Sequence, residues 1–394
     1  MKFDQKSLLV IVLLLLIVSI IIVPINLEKA MNIETRNFDT VSPSISLPSS
    51  PPITILSDSD FLSYSFPGTG SVENPYRIEY LEITTLGYYG IKIENVSKSF
   101  VIQNCRISAL VSAIRIFNCT SESILLKSNW CQGTGVDFGI LVIGTRNNSL
   151  KVINNTCLDW DYGMDINKSP YSLIENNTLM KNLGGLRVEH DISHSLVVNN
   201  YCMNNREGMD IADSKNVTIK NNYIYNNFIG LLTDSMSYEE AFQDCIIIDN
   251  LFDNNTSYAI IITAYLEPSY PRNNHIYHNT IINNNKNGDS QAKDTGQNNL
   301  WYNESLKEGN YWSNWLGFGS YQIYGSVFSL DLYPLEHPLQ PTFTNPPLMF
   351  LGRFILMISI ASTVTASIIV VVALYLKKHK KRVDANSYVD NKTS

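Results

Sequence analysis

The repeat GMDIADSKNVTIKNNYIYNNFI, residues 208–229, decides the fold of this chain. Related runs start with a small residue and continue with alternating apolar positions: GIKI (90), AIRI (113), GILV (139), GMDI (163), GLRV (185), GMDI (208), GLLT (230) and AIII (259). Their spacings are 23, 26, 24, 22, 23, 22 and 29 residues. This repeat length with period-two alternation is typical of one coil of a right-handed parallel β-helix, whereas helical repeats are longer. We therefore predict an all-β solenoid of about eight coils.

Strict alternation assigns each side chain of residues 208–229 to the inside or the outside of such a coil. The residues predicted to point inward are Met209, Ile211, Val217, Ile219 and Ile224, and those predicted to point outward are Asp210, Thr218 and Tyr223. Because each strand pairs with its counterpart in the next coil, every inward position becomes an apolar column. One such column is Ile107, Cys131, Cys157, Leu179, Cys202, Ile224, Phe252 and Ile281. We expect buried thiols rather than disulfides for the six cysteines.

Asparagine makes up 43 of the 394 residues and recurs at fixed positions in the repeat. The recurring doublets are NC (104), SN (128), NN (154), NN (176), NN (199), NN (221), DN (249) and HN (278). Asparagine tolerates the left-handed backbone of a tight corner, and stacked amides can hydrogen-bond from coil to coil as a ladder. A second ladder is predicted at Asn182, Asn205, Asn227, Asn255 and Asn284. Ligand binding is the functional alternative, and the periodicity favours the structural role.

The two ends of the chain differ in composition from the repeat. Residues 8–23 (LLVIVLLLLIVSIIIV) follow Lys2 and Lys6, which predicts a signal peptide or a signal anchor over residues 1–27. Near the other end, the 23 uncharged residues Phe354–Leu376 are long enough to span a bilayer, and the basic run KKHKKR follows at once. By the positive-inside rule this tail is cytoplasmic. We therefore expect a single-pass cell-membrane protein with an extracellular β-helix.

These features divide the chain into six predicted segments. They are a signal peptide or signal anchor (1–27), a Ser/Pro-rich spacer (28–51), the β-helix domain (52–338), a second spacer (339–350), a transmembrane helix (351–376) and a basic cytoplasmic tail (377–394). Within the domain we predict a lead-in cap at 52–89 and an aromatic C-terminal cap at 300–338, because a solenoid needs covered ends. Export makes glycosylation possible at the N-x-S/T sequons of the domain. A nucleic-acid partner is not expected, since the net charge is -7 and the clustered basic residues lie in the tail.

One predicted outward column carries charge in three successive coils. The column is Lys92, Arg115, Leu141, Asp165, Arg187, Asp210, Leu232 and Ile261. Asp165 and Asp210 should lie two coils apart, about 9–10 Å, with Arg187 between them. An inverting glycosidase needs about 6.5–9.5 Å between its carboxyl groups, so Asp165, Asp210 and nearby Glu189 are catalytic candidates. The alternative is a ladder of alternating charge, in which Arg187 would lower both aspartate pKa values and disfavour a general acid.

Aromatic side chains are predicted on another outward face. Tyr201 and Tyr223 should stack, with Tyr225 beside them and Trp130 farther along the rod. An exposed ring offers a flat apolar surface to a sugar, and neighbouring amides or Arg187 offer hydrogen bonds. These five side chains are therefore the candidate ligand-binding residues. Tyrosine also forms strands readily, so a purely structural role is the alternative.

Two flanking segments complete a resemblance to a known family. The entry segment PITILSDSDFLSYSFPGTGSVENPYRI (52–78) and the exit elements GNYWSNW (309–315) and DLYPL (331–335) frame the repeat. Over about residues 52–338 the chain resembles the NosD-like family of right-handed β-helix proteins, also described as copper-binding or carbohydrate-binding and sugar-hydrolase (CASH) domains. The resemblance implies that such a protein binds copper, or that it binds calcium in an Asp/Gly-rich exit loop. In this chain the corresponding stretch, LGFGSYQIYGSVFSL, has no carboxylate.

The residues themselves predict no cofactor. The chain lacks a Gly-rich phosphate loop, a G-x-S-x-G motif, an H-E-x-x-H motif and a paired C-x-x-C. His275 and His278 are three residues apart at a coil corner, but a metal site built on them lacks a third ligand. A prediction of copper or calcium binding therefore rests on the family resemblance alone.

Three functions remain open from the sequence. The favoured one is a surface binding or structural module that contacts glycans or neighbouring cell-surface proteins. The alternative is a carbohydrate-active enzyme, either a glycoside hydrolase or a polysaccharide lyase, that uses the outward carboxylates. The arginine inside the acidic column favours the binding module. The longer coils at 113–138, 230–258 and 259–285 could form the walls of a groove, so the enzyme remains an alternative. The family resemblance alone suggests a third role in copper or envelope maturation.

Overall fold

The computed structural model describes residues 46–235, 241–264, 269–325 and 329–339. These residues lie in one compact unit, Ile45–Thr344. Within the described ranges the chain forms 31 short strands and one four-residue helix, α1 (Asp60–Ser63). None of the described residues belongs to a helix that is long and apolar enough to cross a membrane.

Three parallel sheets contain nearly all of the strands. Sheet 1 consists of β1 (Ile53–Ile55), β4 (Tyr89–Glu94), β7 (Ser112–Cys119), β10 (Phe138–Thr145), β13 (Tyr162–Asn167), β16 (Gly184–Val188), β19 (Glu207–Ala212), β22 (Ile229–Asp234), β25 (Ile260–Ile262) and β28 (Ala292–Asp294). Sheet 2 consists of β2 (Tyr76–Glu79), β5 (Phe100–Gln103), β8 (Ile124–Lys127), β11 (Leu150–Ile153), β14 (Leu173–Glu175), β17 (Leu196–Val198), β20 (Thr218–Lys220), β23 (Ile246–Ile248) and β26 (His275–Tyr277). Sheet 3 consists of β3 (Glu82–Thr84), β6 (Arg106–Ser108), β9 (Trp130–Gln132), β12 (Thr156–Leu158), β15 (Thr178–Met180), β18 (Tyr201–Met203), β21 (Tyr223–Tyr225), β24 (Leu251–Asp253), β27 (Thr280–Ile282) and β29 (Tyr311–Trp312). An antiparallel pair, β30 (Tyr321–Gln322) and β31 (Leu330–Asp331), follows.

Each coil of the chain visits sheets 1, 2 and 3 in turn, and each strand pairs in parallel with its counterpart in the next coil. The eight predicted runs are the strands of sheet 1 from β4 to β25. Strands β1 and β28 extend this sheet at its two ends. The prediction of an all-β parallel β-helix is therefore confirmed.

The interior is built from the predicted inward columns. Cys157, for example, is in register with Cys131 on one side and Leu179 on the other. Every member of the column from Ile107 to Ile281 is buried. All six cysteines are buried and free, which confirms the expectation of thiols in the core rather than disulfides. The core is thus one continuous apolar cluster along the rod.

Both predicted asparagine ladders are present. The first runs from Asn129 to Asn279 and continues to Asn310. At each step one side-chain Oδ1 accepts bonds from the backbone N–H and the Nδ2 of the preceding coil; Asn222 Oδ1 accepts both from Asn200, at 2.9 and 3.1 Å. The second ladder links the five predicted residues and ends on the side chain of Gln291. Buried amides are therefore satisfied by the equivalent residue of the next coil.

The first residue of each doublet forms the corner itself. Asn154, Asn176, Asn199 and Asn221 have φ values between 52 and 57°, in the left-handed region. Asparagine enters this region more readily than other side chains, because its short polar group bonds locally. The two residues of a doublet thus have separate structural roles, one in the corner and one in the ladder.

Aromatic residues close the two ends of the core. In the lead-in, the Phe61 ring stacks on Tyr76 with 4.6 Å between ring centroids. In the exit segment, Trp312 stacks on Tyr321 at 4.0 Å. The Asp331 carboxylate accepts from the indole Nε1 of Trp312 at 2.9 Å, and burial raises the pKa of Asp331 to about 6. Both caps therefore cover the apolar ends of the stack.

Residues just outside the predicted bounds 52 and 338 form hydrogen bonds with the β-helix. Glu82 N donates to the carbonyl of Pro48, and Ser50 N donates to the carbonyl of Glu82, so residues 48–50 already pair with the first coil. At the other end, Thr280 Oγ1 donates to the carbonyl of Leu339 at 3.0 Å. The predicted signal segment 1–27, transmembrane helix 351–376 and tail 377–394 lie outside the described residues, as do 28–45 and 340–350 of the spacers.

Replacing one ladder residue tests how much the ladder stabilises the fold. In the wild-type protein the Asn222 side chain is hydrogen-bonded to the Asn200 N–H and to the Val197 carbonyl. In Asn222→Ala both of these groups lose their buried partner. We expect the free energy of unfolding to fall by about 3 kcal/mol, measured by chemical denaturation. The matched control is Asn221→Gly, which keeps the left-handed corner and should change stability by less than about 1 kcal/mol. Equal losses in the two variants would contradict the ladder argument.

Candidate functional site

The charged column predicted on sheet 1 exists in the predicted register. Asp165 pairs with Arg187, and Arg187 pairs with Asp210, in three successive coils. Leu141 and Leu232 continue the column on either side. Two coils therefore separate the two aspartates, as the repeat predicts.

Arg187 is the centre of a hydrogen-bonded network on this face. Its Nη2 lies 2.5 Å from Asp165 Oδ2, and its Nη1 lies 2.9 Å from Glu189 Oε1. Asn167 donates from Nδ2 to Asp165 Oδ1 at 2.6 Å, and its own Oδ1 accepts from the backbone N–H of Glu189 at 2.8 Å. The network fixes the orientation of two of the three candidate carboxylates, Asp165 and Glu189.

An aromatic pair that sequence reasoning missed lies beside this network. The Phe138 and Tyr162 rings stack with centroids 6.0 Å apart, and both side chains are half-buried. The Arg187 guanidinium lies over the Tyr162 ring, 3.8 Å from its centroid. Gly184 leaves room for that ring, because a Cβ there would come within 2.6 Å of Tyr162 Cδ1. Counting back from Met164 by alternation would place Tyr162 inside the core, so the repeat alone does not reveal this pair.

Asp210 differs from the other two candidate carboxylates in that no described lysine or arginine forms an ion pair with it. Burial raises the pKa of Asp210 to about 8, and the carboxylates of Asp234 and Glu207 add to the rise, while Arg187 opposes it. Arg187 acts in the predicted direction, but burial outweighs it and the net pKa of Asp210 is raised, so the predicted low pKa is wrong. Arg187 is already shared by Asp165 and Glu189, so its field at Asp210 does not offset the loss of water.

The net pKa of Asp165 is raised as well, although Arg187 again acts to lower it, so the predicted low pKa of Asp165 is also wrong. Burial is the largest cause, with the Glu189 carboxylate as a smaller one. The hydrogen bonds from Arg187 and Asn167 act in the opposite direction. Only 2% of Asp165 is exposed, so removal of water outweighs the ion pair.

Asp234 is a further titratable residue of this face that sequence reasoning missed. It ends β22 and pairs with Ala212 of the preceding coil. Burial raises its pKa to about 7, with contributions from Asp213, Glu207 and Glu189. Its position two residues after Leu232, on the outward side of the same strand, is the signal that would have found it. We call Asp165, Arg187, Glu189, Asp210 and Asp234 the acidic face of sheet 1.

The predicted exposed tyrosines are not exposed. Tyr201 and Tyr223 pair in adjacent coils of sheet 3, as predicted, with their rings edge to face at 6.4 Å. Their exposed fractions are only 3% and 6%, and that of Tyr225 is 5%, so none offers an open ring to a sugar. Alternation identifies the side of the sheet, but it does not report whether another part of the chain covers that side. Trp130 is half-buried on β9, three coils from Tyr201.

The described residues do not fit a copper or a calcium ion. His278 Nε2 lies 2.7 Å from Glu308 Oε2, and its Nδ1 lies 3.9 Å from Asp249 Oδ1. His275 is exposed on β26 of sheet 2. Among the described residues, no group of three or more His, Cys, Asp or Glu side chains is placed to hold a metal.

An open cavity of about 1000 Å³ lies elsewhere, at the corner between sheets 1 and 2 near the N-terminal end. Its walls come from 70–73, 97–99, 118–120, 122 and 144–147. The lining combines polar and apolar surface with charges of both signs, and it includes the exposed ion pair of Arg146 with Glu122. None of the predicted site residues contributes to it.

The pKa values of the acidic face predict how stability depends on pH. Between about pH 4, the ordinary carboxyl value, and the folded values of about 7 for Asp234 and 8 for Asp210, the folded state keeps protons that the unfolded state has released. The free energy of unfolding should therefore fall as the pH rises through this window, by up to about 1.4 kcal/mol per pH unit for each group.

In Asp210→Asn the neutral amide replaces the protonated acid, so the stability profile measured by denaturant unfolding from pH 5 to 8 should flatten. The control Glu175→Gln removes a carboxylate at the end of β14 on sheet 2 and should leave the slope of the wild type. Parallel profiles for the wild type and Asp210→Asn would show that Asp210 titrates normally.

Comparison with known proteins supports the fold. A family model described as "Right handed beta helix region" matches residues 138–304, which is less than half of the chain. A double mutant of the periplasmic alginate epimerase AlgG is a similar solved structure, at 14% identity and a TM-score of 0.32, covering 67% of this chain and 73% of that chain. A TM-score this low carries no argument about activity. No curated protein matches the chain. Over residues 138–304 the protein is thus similar to the right-handed β-helix family, in agreement with its three parallel sheets.

Proposed function

We propose that the protein binds carbohydrate on the outer face of sheet 1. The observation that carries this proposal is the half-buried Phe138–Tyr162 pair next to the Arg187 network. A sugar ring has a flat apolar side that packs on an aromatic ring and hydroxyl groups that exchange hydrogen bonds with carboxylates, amides and guanidinium groups. These elements occur together on sheet 1, whereas the buried tyrosines of sheet 3 lack an open ring.

The flat sheet also suits an extended ligand. Equivalent side chains repeat along the rod at about 4.8 Å, so one chain of sugars can contact several coils in succession. Tyr162, Arg187 and Asp210 lie in three neighbouring coils of this surface. A polysaccharide therefore fits the arrangement better than a single small sugar.

Cell-surface anchoring is a further part of the proposal and rests on the sequence of the two ends. The apolar segment 1–27 favours export, and the apolar segment 351–376 with the basic run after it favours a membrane anchor with a cytoplasmic tail. Glycans, or glycan-bearing surface proteins, are then the partners within reach. The resemblance to the NosD-like family suits this location, but a copper-related role has no support from the described side chains.

Cleavage of the bound glycan is the second candidate function, and the pKa of Asp210 favours it. A carboxyl group with a pKa of about 8 keeps its proton at neutral pH and can donate it to a glycosidic oxygen as that bond breaks. Glu189, held by Arg187 at 2.9 Å, would take a proton from the attacking water. Strand spacing and residue rise put the two positions about 8 Å apart, which suits inversion.

A glycan panel tests the proposed function on the purified full-length protein. We expect a polysaccharide or oligosaccharide to bind, and Tyr162→Ala to weaken that binding about two- to tenfold, because the stacking surface is lost. The matched control is Tyr171→Ala, since Tyr171 belongs to the same coil but stacks on His194 at a corner. Binding that Tyr162→Ala leaves unchanged would exclude this face.

The same panel distinguishes binding from cleavage. New reducing ends that vanish in both Asp210→Asn and Glu189→Gln would establish the hydrolase. Binding without new ends in the wild type would leave the binding module as the function.

Limited proteolysis of intact cells tests the proposed anchoring. We expect an external protease to remove the β-helix domain and to spare a tag fused after residue 394, because the basic tail is predicted to be cytoplasmic. Permeabilised cells, in which both parts should be digested, are the control. A β-helix domain protected in intact cells would contradict the extracellular location.

A further inference from the structure

The open cavity at the corner between sheets 1 and 2 contains a complete N-x-S/T sequon. Asn118, Cys119 and Thr120 form the sequence N-C-T, and all three belong to the lining of the cavity. Cys119 is buried, whereas Asn118 and Thr120 are exposed. The amide that would carry a sugar and the hydroxyl that the sequon requires therefore both lie at the surface of the cavity.

The two other sequons near this corner differ in the state of the hydroxyl. In the sequon of Asn95, the Ser97 hydroxyl donates to Asp58 Oδ2 at 2.6 Å. In the sequon of Asn147, Ser149 is only 3% exposed, and its hydroxyl donates to a backbone carbonyl at 2.6 Å. The hydroxyl of the N-C-T sequon forms no hydrogen bond within the described part of the chain. The N-C-T sequon is thus the most accessible of the three.

Two sequons inside the repeat are incompatible with an attached sugar. The Asn167 side chain donates to Asp165 and accepts from the backbone N–H of Glu189, and Asn167 is 6% exposed. Asn255 is 1% exposed and belongs to the second ladder. A sugar on Nδ2 of either residue would break buried hydrogen bonds and would have no space. The fold therefore separates usable sequons from those that the asparagine-rich repeat creates by its composition.

The stacked neighbours of Asn118 leave room for a substituent. Cys119 pairs with Thr145, so Gly144 lies beside Asn118 in the next coil and presents no side chain. A Cβ on Gly144 would lie 3.7 Å from Asn118 Cα, which places the two residues in direct contact. On the other side, Asn118 Nδ2 donates to Asn95 Oδ1 at 2.8 Å. An amide nitrogen has two N–H groups, so the second one is left for a sugar.

The rest of the cavity suits the first sugars of a glycan. Ser71, Ser97 and Asn147 are exposed in its lining and offer hydrogen bonds to sugar hydroxyls, while Val72 adds an exposed apolar surface. Small-ligand pockets measure about 300–1000 Å³. The cavity, at about 1000 Å³, therefore holds more than one sugar ring.

We propose that Asn118 carries an N-linked glycan whose first sugars lie in this cavity. In the linkage step, Nδ2 bonds to the anomeric carbon of an oligosaccharide carried on a lipid diphosphate. The bond from that carbon to the diphosphate oxygen breaks, and the proton lost from Nδ2 passes to the released diphosphate. A membrane transferase catalyses this step, which needs no oxidant or reductant. The inference rests on the extracellular location in the proposed function and is independent of carbohydrate recognition by sheet 1.

Peptide mass spectrometry of the full-length protein, purified from the membranes of its native cells, tests the attachment. We expect an oligosaccharide mass on the peptide that contains Asn118 and none on Asn167 or Asn255. The glycan should be lost in Thr120→Ala and retained in Thr120→Ser, because serine also supplies the hydroxyl. The matched control is Asn147→Gln, which should leave the glycan on Asn118.

Lysine acylation tests whether the first sugars occupy the cavity. Lys98 is exposed in the lining, so it should react freely in Asn118→Gln. In the glycosylated protein we expect acylation of Lys98 to be at least about threefold slower, because a group covered for about two-thirds of the time reacts at a third of its free rate. Lys307, exposed in the C-terminal cap, should react equally in both proteins. Equal rates at Lys98 would overturn the placement of the sugars in the cavity.

The outcomes separate this site from the proposed function. An unmodified Asn118 in a domain that an external protease removes from intact cells would overturn the glycan and leave the extracellular location in place. An unmodified Asn118 in a protected domain would overturn the glycan together with that location. A glycan that survives Thr120→Ala would also overturn the assignment, because its attachment would not depend on the sequon.

Discussion

The hydrogen bond from one asparagine side chain to its equivalent in the next coil is the interaction on which this structure depends. A β-helix must turn sharply three times per coil, and each turn leaves backbone groups that no strand can satisfy. The ladder from Asn129 to Asn310 solves this at one corner, because each Oδ1 accepts two N–H groups from the coil before it. The same bonds force adjacent coils into one register.

That register has an electrostatic consequence. Equivalent residues of successive coils stack at about 4.8 Å. A charge that recurs in neighbouring coils is therefore repelled by the like charge above or below it. On sheet 1 one arginine serves two carboxylates, Asp165 and Glu189. Asp210 and Asp234 lie beyond its hydrogen-bonding reach and are largely removed from water, and their pKa values rise toward neutrality. The stacking of equivalent residues in successive coils thus produces carboxyl groups that titrate near neutral pH.

The outer faces of sheets 1 and 3 differ in which aromatic side chains are accessible. On sheet 1 the Phe138–Tyr162 pair is half-buried and adjoins charged groups, an arrangement suited to a polar ligand with apolar patches. On sheet 3 the outward tyrosines are buried, and the described chain reaches this face again at Leu339, bonded to Thr280. We therefore propose sheet 1 as the recognition surface, although tyrosines on sheet 3 are the more obvious aromatic residues in the sequence.

The amino-acid sequence by itself determined the coil, the register and both ladders. The reason is that these depend on a local pattern repeated many times: Cys131, Cys157 and Leu179 stack because equivalent positions of successive coils must pair. It also determined that Asp165, Arg187 and Asp210 share one column. Only the tertiary structure decided that Tyr201 is covered, that Tyr162 lies against Arg187, and that Asp234 joins Asp210. Burial and electric field depend on atoms brought from distant parts of the chain, and alternation along a strand carries no information about them.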